Sequence, residues 1–168
     1  MPVFLLTIHA YRSWNADRPQ GYVRRGQGVL PRDNEVARAY DRNAVESPAV
    51  FDVVHQRAIA QLVAEACERR DWRLHAIACE PTHFHALVSW KDELQSTAVC
   101  AKLKNLVSRQ LNLGLPTKRR WLSRGASRKQ VKDRAHFDQL VFEYLPKHSG
   151  LVWTEGMPPI GPPPPGGG

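Results

Sequence analysis

Trp72-Arg73-Leu74-His75-Ala76-Ile77-Ala78-Cys79-Glu80-Pro81-Thr82-His83-Phe84-His85-Ala86-Leu87-Val88-Ser89-Trp90 is the stretch whose reading decides the fold. Residues 72–79 form a short, mostly apolar run that reads as a strand. Glu80-Pro81-Thr82 makes a tight connection. Beyond it Phe84, Ala86, Val88 and Trp90 alternate with His83, His85, Leu87 and Ser89, which is the period-two signature of a second strand. The two strands are expected to pair as an antiparallel hairpin. His83 and His85 are two apart, so both side chains leave the same face of the sheet. Two imidazoles there can converge on one divalent ion. Taken alone, such a pair reads more readily as two solvent-facing polar residues on a half-buried strand.

Upstream, Ser47-Pro48 supplies a capping hydroxyl followed by a proline suited to the first helical position. Val50, Val53, Val54, Ile59, Leu62, Val63 and Ala66 follow at helical spacing, predicting a helix to about Arg70. Residues 15–47 show no sustained period and read as a long, partly irregular connection with room for a short helix. Val3 to Trp14 reads as a first strand.

Downstream, a helix is predicted from Asp92 to about Asn112, with Leu94, Val99, Leu103, Leu106 and Val107 inward. Lys102, Asn105, Ser108 and Arg109 share its polar, basic face. Lys118-Arg119-Arg120-Trp121 forms a basic loop. A third helix begins near Asp133 and carries Phe137, Leu140, Val141 and Tyr144 on one face. A strand between Arg109 and Asp133 has weak support. The order strand, helix, strand, strand, helix predicts an α+β fold, a ferredoxin-like antiparallel sheet with helices on one face plus a C-terminal helix bearing Tyr144. Residues 1–156 are expected to form one domain. Residues 157–168, which include Pro-Pro-Pro-Pro-Gly-Gly-Gly, are expected to be disordered.

The 168 residues carry 24 Lys and Arg against 16 Asp and Glu, a net charge of +8 that favours a polyanionic partner. Cys67, Cys79 and Cys100 are scattered, which speaks against a disulfide framework or a zinc ribbon and for a reducing, cytosolic setting. The apolar opening lacks the basic flank of a signal peptide. No apolar run approaches the roughly 20 residues of a membrane helix.

Glu80-Pro81-Thr82-His83-Phe84-His85-Ala86-Leu87-Val88 resembles the signature of the HUH endonuclease superfamily, a histidine, a bulky apolar residue and a histidine on a central strand. It looks most like the single-tyrosine transposases of bacterial insertion sequences, the REP-associated tyrosine transposases among them. Thr82 stands where those proteins commonly have asparagine. The likeness extends to Thr7-Ile8-His9-Ala10-Tyr11-Arg12-Ser13-Trp14, to Cys67-Glu68-Arg69-Arg70-Asp71-Trp72 and to Trp121-Leu122-Ser123-Arg124-Gly125-Ala126-Ser127-Arg128. It covers about residues 3 to 153.

The resemblance implies a transposase-type, single-stranded DNA endonuclease and strand transferase with a tyrosine nucleophile and a divalent metal, Mg2+ or Mn2+. It implies His83 and His85 as metal ligands. Of the four tyrosines, Tyr11, Tyr22, Tyr40 and Tyr144, only Tyr144 follows the pair, on a predicted helix. Read from residues alone, Tyr144 is better taken as a core tyrosine, since Phe137, Leu140 and Val141 share its face. The family often carries a third ligand one helical turn after the tyrosine, and His148 holds that place. Pro146 lies between them and should bend or end the helix. Lys102, Asn105, Arg109, Lys118, Arg119 and Arg120 are the expected DNA contacts. Trp121 is either a base-stacking platform or a loop anchor. Single-stranded or hairpin DNA and a second copy of the chain are the expected partners, in the cytoplasm of a bacterium. Three other readings fit the same residues: a domesticated DNA-processing protein of this fold, a water-using metal nuclease, and a non-catalytic nucleic-acid-binding module.

Overall fold

The expected hairpin organises the sheet. In the chain's computed structural model, which describes residues 1–13, 16, 19–24 and 26–161, β4 (Arg73–Cys79) and β5 (His83–Ser89) pair antiparallel with Ala78 opposite His85. β1 (Val3–His9) lies along the other side of β5, with Thr7 opposite His85 and His9 opposite His83. β6 (Ser127–Gln130) flanks β1, and β7 (Leu151–Thr154) flanks β4. The strand order is β6-β1-β5-β4-β7, and every neighbouring pair is antiparallel. With α2 (Val53–Glu68) after β1 and α3 (Ser96–Leu111) after β5, this is the ferredoxin-like βαββαβ order extended by one edge strand.

Strand alternation gives the sheet two apolar faces. Leu6, Ile8, Ile77, Phe84 and Val88 meet Ile59, Val63 and Ala66 of α2 and Val99, Leu103 and Val107 of α3 on the first face. Leu5, Ala76, Ala78 and Leu87 meet Leu140, Val141 and Leu145 of the C-terminal helical segment on the second. His83 and His85 share parity with Leu87, so they open onto the second face. That segment is α4 (Arg134–Gln139), whose first turn Asp133 caps by accepting from the His136 N–H, followed by a π-helical turn at Leu140–Tyr144 and a 3-10 turn at Leu145–Lys147. Fully buried Leu145 pins it to the sheet, a contribution of roughly 2 kcal/mol.

Several boundaries differ from the sequence reading, each for a tertiary reason. α2 starts at Val53 with Asp52 as its cap, not at Ser47-Pro48. Residues 49–51 stay extended because the Ala49 and Phe51 N–H groups donate to the carbonyls of Tyr11 and Pro81, burying both side chains. β1 ends at His9, short of the expected strand to Trp14, and Trp14 lies outside the described residues. The connection read as irregular holds a hairpin, β2 (Tyr22–Arg24) with β3 (Gly28–Leu30), and the helix α1 (Asn34–Arg42). They share a small core of their own around Ala16, Tyr22 and Ala37. β7 was not anticipated, and the weakly supported strand before Asp133 is β6. The start of the expected tail, residues 157–161, lies against the domain: Ile160 packs on the core and the Pro158 carbonyl accepts from Trp153 Nε1. Residues 162–168 lie outside the described residues.

Candidate metal and tyrosine site

β5 projects His83 and His85 from one face, and the C-terminal segment crosses that face. Three imidazoles meet there. Donor nitrogens of His83, His85 and His148 all lie within 4.8 Å of one another, the only group of three or more such ligands among the described residues. Nitrogens bound to a common ion at about 2.1 Å would stand about 3–4 Å apart, so small side-chain rotations close this set. The donor chemistry therefore fits a divalent transition ion.

Each ring is oriented by a contact on Nδ1. His148 Nδ1 donates to the Leu145 carbonyl (3.0 Å), which places the lone pair of the neutral ring on Nε2. His85 Nδ1 meets the Thr7 hydroxyl at 2.8 Å, and His83 Nδ1 meets the Thr82 hydroxyl at 3.0 Å. Outer partners of this kind set ring tautomer and raise ligand basicity. His85 is almost fully buried. Burial first, then the nearby imidazoles of His83, His148 and His9 and the Lys129 ammonium, push its pKa down to about 3. Its imidazole is neutral at physiological pH.

Tyr144 stands at the edge of this cluster with its hydroxyl 3.4 Å from His85 Nε2, and its ring 5.1 Å from that of His148. The tyrosine is half exposed, which argues against the core reading. Pro146 shapes this arrangement. It has no N–H and its ring crowds the carbonyl four residues back. The helix widens just before it: the Leu145 N–H donates to the Leu140 carbonyl five residues back, after which the chain tightens into the 3-10 turn. Tyr144 and His148 thus share a side without regular α-helical spacing.

Residues the sequence did not single out complete the frame. Glu80 accepts from the Ser149 N–H, and the Gln56 side chain spans the Phe51 carbonyl and the Leu151 N–H. Gly150 passes so close to Cys79 that a Cβ would stand 1.9 Å from its carbonyl oxygen. His9 lies beside His83, with ring centroids 5.6 Å apart. Thr7 and His9 had one legible signal: they are the polar residues of an otherwise apolar strand. Glu80, Gln56 and Gly150 had none.

The cluster opens into a cleft of about 440 Å³ lined by Thr7, His9, His83, His85, Lys129, His136 and Tyr144 among others, with no carboxylate in its wall among the described residues. The expected DNA contacts fall in two places. Lys102, Asn105 and Arg109 are exposed on α3, on the far side of the sheet from the cleft. The loop 118–121 runs beside the end of β1, where the Tyr11 N–H donates to the Trp121 carbonyl. Lys118 is exposed there. Arg119 donates to the Ser47 and Pro48 carbonyls and stacks over Trp121, while Arg120 pairs with Glu46. Trp121 is buried, so it anchors the loop and is not a stacking platform.

A ferredoxin-like sheet with a histidine pair on its central strand, and a tyrosine and third imidazole brought over it, is the arrangement that the resemblance in sequence led us to expect. Residues 46–127, just under half of the chain, match the family model "Transposase IS200 like". The segment so matched holds α2, both histidines of the pair and α3. Tyr144 and His148 lie beyond the matched segment and join the site through the fold. No curated protein matches the sequence. Among solved structures, a REP-associated tyrosine transposase bound to a REP hairpin is similar over 83% of this chain, at 9% identity and a TM-score of 0.46. The chain spans 62% of that structure's length.

Proposed function

We propose that the protein is a tyrosine-dependent endonuclease and strand transferase of single-stranded DNA, acting in transposition. The observation that carries this reading is the Tyr144 hydroxyl 3.4 Å from His85 Nε2, at the mouth of an open cleft with no carboxylate among its described lining residues. His83, His85 and His148 would hold the ion. Three imidazoles favour a transition ion such as Mn2+ over Mg2+, which prefers oxygen ligands. When bound, the ion supplies polarisation of the scissile phosphate and charge neutralisation as the reaction proceeds.

The chain's own groups do the rest. The Tyr144 oxygen attacks phosphorus, its O–P bond forms, and the bond from phosphorus to the 3′ oxygen breaks. The tyrosine proton leaves to solvent, and the departing 3′ oxygen takes one up. The product is a 5′-phosphotyrosine that conserves the ester bond, so an incoming 3′-hydroxyl can reverse the step on the same or another strand. A tyrosine placed against the metal ligands supports this chemistry over attack by water.

The test is covalent capture. Labelled single-stranded DNA from the flanks of the gene, incubated with the protein and Mn2+, is expected to give an adduct that survives denaturation. Tyr144→Phe should abolish it and leave Mn2+ affinity intact. An adduct that persists in Tyr144→Phe defeats the nucleophile assignment. Mn2+ affinity unchanged in the double variant His83→Ala, His85→Ala defeats the metal site.

A further inference from the structure

We propose that Lys129 and the His136 ring, which both line the cleft, form a second phosphate-binding subsite there, holding a backbone phosphate that neighbours the scissile one. The inference rests on the reading of the cleft as a single-stranded DNA site.

The sheet acts as a ruler. Lys129 of β6 pairs with Leu5 and Ser127 pairs with Thr7, so both project onto the face that carries His85. Thr7 and His85 stand in one row of side chains, and Lys129 and Leu5 in the next. Adjacent rows on one face are about 7 Å apart and adjacent strands about 4.8 Å. Lys129 is therefore two strands and one row from His85, a step the long lysine stem shortens. An ammonium so placed reaches a neighbouring phosphate of a strand whose scissile phosphate sits at the imidazoles.

Three observations point to an anion. Among the described residues, the wall of the cleft holds no aspartate or glutamate. Lys129 is exposed, makes no ion pair among the described residues, and is close enough to bear on His85. His136 Nδ1 accepts from the Lys132 N–H (3.2 Å), so the proton of the neutral ring sits on Nε2 as a donor. His136, Gln139 and Ser127 line the wall with Lys129. The bland alternative is a lysine guarding an exposed sheet edge. Its neighbour Arg128, which pairs with Leu6 and so faces the other side, is the matched control for charge alone.

The experiment measures binding of a short labelled oligothymidine in chelator, where no cleavage occurs. A series of oligonucleotides carries one uncharged methylphosphonate linkage at successive positions. Lys129→Ala is expected to bind about fivefold more weakly near 0.1 M salt, with the salt slope reduced by about 0.7. One neutral linkage should weaken wild type and Arg128→Ala but have no further effect in Lys129→Ala, and Lys129→Arg should restore the loss. Unchanged affinity in Lys129→Ala, or a neutral-linkage effect that persists in it, overturns the subsite. Loss of the covalent adduct in wild type would defeat the proposed chemistry and leave this result standing. An adduct formed normally while Lys129→Ala binds as wild type would do the reverse.

Discussion

The Thr7 hydroxyl lies 2.8 Å from Nδ1 of His85, joining the first strand to the central metal-ligand candidate across one step of the sheet. The contact fixes which nitrogen of a buried imidazole faces the cleft. Thr7→Val keeps the shape and removes the hydroxyl. It should lower Mn2+ affinity by about tenfold or more, with a stability loss of about 1 kcal/mol. Titration calorimetry beside a urea melt separates the two, and an unchanged affinity would show that Thr7 does not orient the ring.

The depressed His85 pKa makes the metal-free protein acid-sensitive. The folded pKa, about 3, lies below the roughly 6.5 of the unfolded chain. Between those values the unfolded state binds the extra proton, so the contribution is present above pH 6.5 and is lost as pH falls. The slope approaches about 1.4 kcal/mol per pH unit within that window. Urea midpoints in chelator should therefore decline from pH 7 to pH 4, and more shallowly in His85→Asn. Parallel declines would assign the sensitivity to other groups.

Pro146 separates stability from site geometry. Pro146→Ala permits the missing backbone hydrogen bond and relieves the clash that widens the helix before it. Thermal stability should hold or rise while Mn2+ affinity and adduct yield fall, because Tyr144 and His148 rotate out of their shared orientation. A variant with full adduct yield would show that the π-helical turn is not needed.

Gly150 has no room for a side chain. A Cβ there would meet the Cys79 carbonyl oxygen at 1.9 Å and Gln56 Oε1 at 2.4 Å. Gly150→Ala should destabilise by about 1–3 kcal/mol and displace His148, two residues away. Mn2+ affinity should fall even at temperatures where the variant is fully folded, which circular dichroism can verify.

The sequence by itself determined the hairpin, because period-two alternation from Phe84 to Trp90 and a three-residue connection permit little else. It determined that His83 and His85 share a face, since side-chain direction along a strand is a local property. It also singled out Tyr144 and His148, although only through resemblance, because a tyrosine among apolar residues has no local mark of function. What tertiary structure decided was everything that depends on contacts distant in sequence. Residues 49–51 gave up helix for hydrogen bonds to Tyr11 and Pro81. The three-residue strands β2 and β3 and the edge strand β7 are too short for a periodic signal and exist through their pairing partners. The placement of α3 across the sheet from the cleft moved Lys102, Asn105 and Arg109 away from the imidazoles, and no helical periodicity could report that. The third imidazole reaches the pair because Pro146 widens one turn and Gly150, Gln56 and Glu80 hold the next, interactions between residues up to 95 positions apart.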